Sequence, residues 1–244
     1  MSIQITAVNA IPEILPGADL ATIIKEAAAC EQRTIDGRTV VVVAQKIVSK
    51  AEGAIVRLSD VVPSALASKW AQRWGKDPRV VELVLQQSSR IVRMGNGRII
   101  TETHQGFVVA NSGVDLSNAA AAESAILLPA DPDASADRLR SSLRCGAVII
   151  SDTFGRPWRK GVVNVAIGVS GMNPRTDGIA PNDRSGRETH SVCARADEFA
   201  AAAGLCMSKQ SGTPVVLIEG AAWVPSDTMN SSDLVRRPAD ELFS

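Results

Sequence analysis

Three stretches of the sequence gather acids, hydroxyls, amides and cations of the kinds that bind and transfer charged groups. In residues 149–161, Ile149 and Ile150 lead into Ser151, Asp152 and Thr153, and Arg156, Arg159 and Lys160 follow within eight residues of Asp152. A carboxylate and a hydroxyl can ligate a hard cation, and a cluster of Arg and Lys can absorb phosphate charge, so these are the parts that phosphoryl transfer needs. The alternative is a helix N-cap at Asp152 followed by a basic surface turn. The tight clustering of acid, hydroxyl and cations favours the first reading. In residues 106–118 an apolar run enters Asn111, Ser112, Gly113, Asp115, Ser117 and Asn118. Asp115 suits Mg²⁺ or Mn²⁺, although an Asx turn would explain the same composition. In residues 44–53, Lys46 and Lys50 stand four apart with Ser49 between them. They could neutralise a phosphate or carboxylate, but a solvated connection with both lysines facing water fits the frequency of surface lysines better.

The elements that must position these groups can be read from periodicity. Residues 39–44 (TVVVVA) form a β-branched run, the mark of a strand buried on both faces. Residues 147–151 predict a second buried strand, and residues 3–8, 124–128 and 214–218 predict others. Short strands are expected at 91–93, 99–102 and 107–110, separated by glycine-containing turns. Residues 19–29 predict a helix capped by Asp19, and residues 63–74 and 78–89 predict helices opened by proline. Residues 132–144 predict a helix with Asp131 or Asp133 at its start, and residues 188–204 an alanine-rich one. Residues 152–171 are ambiguous. Strands and helices mix without strict βαβ alternation, so the expected class is α+β, as one domain over residues 1–244 with two possible lobes.

Composition excludes several classes. Lys+Arg 26 against Asp+Glu 26 leaves no net charge, which argues against a nucleic-acid partner. With 3% aromatics and no Tyr, stacking platforms for single strands are not expected either. Four cysteines without a CxxC pair, and two histidines, fit neither a disulfide scaffold nor a zinc centre. Cys145 and Cys193 are expected in the core. No apolar stretch approaches the roughly 20 residues of a membrane span, and the first residues lack a signal-peptide pattern. A soluble, cytoplasmic protein is the expectation. A P-loop, a complete dinucleotide fingerprint after Gly95-Asn96-Gly97, GxSxG and HExxH are all missing.

Taken together, VVVAQKIVSKAEG (41–53), ETHQGFVVANSGVDLSN (102–118), LLPADPDASADRLR (127–140), ISDTFGRPWRKGVVNVAIGVSG (150–171) and ADEFAAAAGLCMSKQSGTPV (196–215), with Ile11-Pro12-Glu13-Ile14 before them, resemble the coenzyme F420-0:γ-glutamyl ligase family. The resemblance implies a family-specific, two-lobed α+β fold without a P-loop, assembled as an intertwined homodimer. It implies an enzyme of coenzyme F420 biosynthesis that joins L-glutamate to F420-0, with GTP hydrolysed to GDP and phosphate. Mg²⁺ or Mn²⁺ would be required, and K⁺ would help. No nitroreductase-like domain follows the matching part, and neither nucleic acid nor membrane is an expected partner. Carried over by position, Ile11, Pro12, Glu13, Ile14, Gln45, Lys46, Lys50 and Asn118 would contact nucleotide. Asp115, Asp152 and Thr153 would ligate metal, and Asp115, Asp152 and Arg156 would carry the chemistry. Leu205, Cys206, Met207, Ser208, Lys209 and Gln210 match a further nucleotide-contacting loop. There the chain departs from the family, with Ser208 in place of the usual Gly and Lys209 where some members have an acid. Gln105 and Val109 also replace the common His and Cys. Two rivals stay open: a metal-dependent phosphohydrolase, and a non-catalytic nucleotide-binding module.

Overall fold

The computed structural model describes residues 2–117, 123–176, 192–207, 212–236 and 238–240. Its first strand, β1 (Gln4–Val8), leads through an extended segment to α1 (Leu20–Cys30). Asp19 caps that helix by accepting from the amides of Ala21 and Thr22. The expected buried strand is β2 (Val40–Ala44), and Val40 to Val43 have no exposed surface. Directly after it comes α2 (Gln45–Ala51), a helix where a connection was expected. Its residues QKIVSKA lack a capping side chain, so local signals were weak. Burial of Ile47 and Val48 against the main core holds the turn instead.

A short strand that periodicity did not reveal, β3 (Ile55–Arg57), precedes two helices, α3 (Ala65–Trp74) and α4 (Pro78–Gln86). Ser64 and Asp77 cap these helices, and Gly75 ends α3 in the left-handed conformation. Next come β4 (Ser88–Gly95), β5 (Arg98–Thr103), β6 (Val108–Ala110) and β7 (Ser124–Ile126). α4 therefore stops at Gln86 rather than running to residue 89. α5 (Pro132–Leu143) is capped by Asp131, and the ambiguous stretch resolves into a long hairpin of β8 (Ala147–Arg156) and β9 (Arg159–Ser170). α6 (Arg195–Gly204) begins later than expected, although residues 188–191 lie outside the described residues, and β10 (Val215–Glu219) closes the main sheet.

The architecture is α+β. One five-stranded mixed sheet has the order β1-β10-β2-β8-β9, with β2 and β8 parallel and the other neighbours antiparallel. On one face, Val41, Val43, Val148 and Ile150 pack against residues of α1, α2 and α5. On the other, Val40, Val42, Ala147 and Ile149 pack against α6. The three-stranded β4-β5-β6 sheet packs with α3 and α4 around separate small cores. Cys145 lies in the main core as expected, but Cys193 is exposed, being beyond the strands that cover the core. No helix among the described residues is long and apolar enough to cross a membrane.

Candidate active site at the carboxyl ends of the two parallel strands

The central parallel pair, β2 and β8, ends at Ala44 opposite Ser151. The next residue of each chain segment, Gln45 on α2 and Asp152 on β8, therefore emerges at the same edge. Ligand sites form readily at such strand ends, because rigid elements hold the groups while loops stay open. Gln45 helps to lower the pKa of the Asp152 carboxyl, and its side-chain carbonyl oxygen accepts from the Ser49 hydroxyl at 2.9 Å.

Asp115 reaches the same place from the opposite side. Its backbone forms a two-way bridge to Ile126, with hydrogen bonds of 3.0 and 2.8 Å. The turn before it places Asn111, Ser112 and Gly113 all at positive φ. Gly113 is required there, since a Cβ would stand 2.6 Å from Leu128. Buried Ser112 holds the turn through its hydroxyl, which lies 2.7 Å from that of Thr101 and donates to the Val84 carbonyl at 2.9 Å. A non-glycine residue in this conformation costs about 1–2 kcal/mol, so the surroundings must fix it.

The Lys46 ammonium sits 2.7 Å from Asp115 Oδ2 and donates to the Ser117 hydroxyl, also at 2.7 Å. The Ser117 amide donates to Asp115 Oδ1 at 2.7 Å, so an Asx-type turn exists at the same residue as the ion pair. Burial pushes the Asp115 carboxyl upward, but Lys46 and Ser117 outweigh it and hold the group below its ordinary value. Asp152 is pushed up to about 6, first by burial and then by the charge of Asp115. The Thr153 amide, Lys46 and Gln45 oppose that rise without cancelling it. The charges of Asp115 and Lys46 thus both act on Asp152, in opposite directions.

The other positions separate into those the structure brings to this edge and those it does not. Lys50 is buried on α2 and pairs with Glu13 at 2.5 Å, while the Gly17 amide donates to the Ala51 carbonyl at 2.8 Å. These contacts lay residues 11–14 along α2, with Ile14 buried and Pro12 exposed. The expectation of a solvated connection with both lysines facing water is therefore corrected: Lys50 is 6% exposed, and Lys46 is engaged by Asp115 and Ser117. The N-cap alternative for Asp152 is also excluded, because the residue lies within β8.

Thr153, the next residue of the same strand, points to the opposite face. Its hydroxyl donates to Asn164 Oδ1 at 3.0 Å, and the Asn164 amide lies 3.6 Å from the Met207 sulfur. The structure thus brings the charge of Asp115 to bear on Asp152 and links Thr153 through Asn164 to Met207. Arg156 lies four residues beyond Asp152, about 13 Å along an extended strand, and donates to the Lys160 carbonyl at 3.1 Å. Leu205 is exposed and Cys206 partly buried. Asn118, Ser208, Lys209 and Gln210 lie outside the described residues. Gln105 donates to the Pro129 carbonyl at 3.0 Å, and Val109 is buried.

Ser117 and Glu52 were given no role by sequence reasoning. Glu52 accepts from Ser135 and Arg138 of α5, and so ties the end of α2 to that helix. Both residues sit inside the motifs quoted above, but the partners of Glu52 and the lysine that donates to the Ser117 hydroxyl are remote in sequence and leave no local signal.

A family model described as F420-0:Gamma-glutamyl ligase matches residues 9–220, a span that contains every group of this site. The chain belongs to this family. Among curated F420-0:γ-glutamyl ligase relatives, it is 42% identical to the coenzyme F420:L-glutamate ligase of Methanothermobacter thermautotrophicus, over 91% of each chain. It is 46% identical to the ligase of that name from Methanopyrus kandleri, over 85% of this chain and 83% of the relative. The Archaeoglobus fulgidus ligase is 39% identical, over 90% and 88%.

Proposed function

We propose that this protein is the GTP-dependent ligase that attaches L-glutamate to coenzyme F420-0 through an amide bond. The observation that carries the reading is the Asp115–Lys46–Asp152 cluster at the open end of β2 and β8, inside the family match. In the reaction, an oxygen of the F420-0 carboxylate attacks the γ-phosphorus of GTP. The bond to the bridging oxygen breaks, GDP leaves and an acyl phosphate forms. The glutamate amine then attacks the acyl carbon, losing a proton, and inorganic phosphate departs. Such chemistry needs positioning and charge neutralisation more than a protein nucleophile, which suits a site built from aspartates, a glutamine and lysines.

The donor set fits a hard divalent cation. Asp115 and Asp152 supply two carboxylates, and burial together with the charge of Asp115 raises Asp152 to about 6. When bound there, Mg²⁺ or Mn²⁺ would supply charge to phosphate oxygens; K⁺ is the proposed monovalent activator. Lys46 and Lys50 sit on one helix where phosphate would approach. The exposed apolar residues Trp158 and Val162 near the tip of the β8–β9 hairpin support a homodimer. A cytoplasmic location completes the reading.

Mass spectrometry of products after incubation with F420-0, GTP, Mg²⁺ and L-glutamate tests it. The expected result is F420-0 heavier by one or more glutamyl residues, with phosphate release that requires glutamate. Phosphate released without glutamate would instead identify a phosphohydrolase, and no release a binding module.

A further inference from the structure

Both oxygens of Asp115 are already engaged by the protein itself: Oδ1 by the Ser117 amide and Oδ2 by the Lys46 ammonium, each at 2.7 Å. The Ser117 hydroxyl holds the same ammonium from the other side at 2.7 Å. Asp115, Ser117 and Lys46 thus close a ring in which each member touches the other two. Lys46 also attracts Asp152, whose charge Asp115 repels. One side-chain cation therefore balances the two carboxylates that a hard divalent cation would have to share.

We propose that Lys46 is an internal place-holder for the divalent cation, held on Asp115 by Ser117 until a nucleotide polyphosphate draws it away. The inference rests on the reading of Asp115 and Asp152 as the cation site. Its physical basis is competition. An ammonium on Asp115 Oδ2 must leave before that oxygen can ligate, and a carboxylate pair balanced by Lys46 attracts a cation less than a bare pair. A polyphosphate offers Lys46 more negative charge than Asp115 does, so its arrival frees the carboxylate at the moment a cation is needed. Ser117 is then a positioning residue: its hydroxyl fixes the ammonium against Asp115, and its amide fixes the carboxylate. Cation affinity without nucleotide would be held low, and the two ligands would bind cooperatively, each raising the affinity for the other by the same factor.

The test is titration of the whole protein with Mn²⁺, followed by the spin-resonance signal of free Mn²⁺, with and without GTP. Without GTP, Lys46→Met should bind Mn²⁺ at least about tenfold more tightly than wild type, and the benefit that GTP brings should shrink. Ser117→Ala, which keeps every charge and the backbone contact, should tighten nucleotide-free binding by a smaller factor, about two- to threefold. Lys25→Met removes the same charge from an exposed position of α1 outside the site, and should change nucleotide-free binding little. Equal tightening by Lys46→Met and Lys25→Met would overturn the proposal in favour of a general field effect. Unchanged or weaker nucleotide-free binding in Lys46→Met, or in Ser117→Ala should the first variant not fold, would overturn it as well. Failure of the underlying reading looks different: wild type would then bind Mn²⁺ in the presence of GTP no better than Asp152→Asn does.

Discussion

Asp152 and Asp133 are both carboxylates withdrawn from water on the main sheet's α1/α5 side, and burial raises the pKa of both. What surrounds them differs. Asp133, in the first turn of α5, accepts from the Val169 amide at 2.7 Å and from the Ser231 amide and hydroxyl at 3.0 and 2.8 Å. Its oxygens are spent on tying β9 and the C-terminal segment to α5. Asp152 instead feels the charge of a second carboxylate, Asp115, and of a lysine whose ion-pair partner is Asp115. A buried acid with donors on its oxygens is a structural rivet, whereas one that faces another acid stores repulsion that a cation or substrate can relieve.

Substitutions can break this contrast. The largest effect is expected from Asp152→Asn, which should lower ligation by at least about a hundredfold, because losing even a group that only orients a cation's ligands can cost that much. Its melting temperature should equal or exceed that of wild type, since the change removes a repelled charge. Turnover near wild type at saturating GTP and Mg²⁺ would remove Asp152 from the site. Asp133→Ala should do the reverse. Stripping the acceptor from three donors should cost about 3 kcal/mol, a fall in melting temperature of roughly 6–12 °C for a chain this long, with ligation by the folded fraction retained. Calorimetry beside a turnover assay at low temperature checks both halves.

Lys50→Ala sharpens the comparison at intermediate size. It should raise the KM for GTP about tenfold, the scale of one lost charge contact, and should also cost about 1 kcal/mol by emptying the space of a buried stem. Because Lys50 is buried, the stability cost is not the negligible one that a surface lysine would carry. Unchanged GTP kinetics with lowered stability would make the Glu13–Lys50 pair purely structural. The smallest effect belongs to Asp197, whose pKa burial raises and whose oxygen accepts from the Ala166 amide at 2.8 Å. A raised folded-state pKa means that stability is fully present below the unfolded value of 3.8 and is lost as pH rises through the folded one. Asp197→Asn keeps the acceptor without the charge, so its stability relative to wild type should climb over that window. A flat difference across pH would refute the assignment.

Much of the scaffold was legible because its signals are local. The run TVVVVA can only be satisfied between covered faces, and Asp19 and Asp131 announce their helices by capping them. α2 and the start of α6 were misread for the opposite reason. Neither has a capping side chain, and packing on the sheet supplies what their ends lack. The hairpin of β8 and β9 was ambiguous because its outer half is exposed and polar, so the strand there is set by pairing with its neighbour rather than by an apolar pattern.

By itself the sequence determined the chemical inventory: which acids and cations follow buried strands and, through its motifs, the family. Only the tertiary structure decided how that inventory is divided. Asp152 and Thr153 are neighbours in the chain, yet strand geometry turns them to opposite faces of the sheet. Asp152 feels the charges of Asp115 and Lys46, while Thr153 bonds Asn164 near Met207. Lys46 and Ser117 are 71 residues apart and in contact. Spacing along a chain specifies which faces are available, but charges act through space. Which acid faces which cation therefore depends on how the strands and α2 pack, information that no local window of sequence contains.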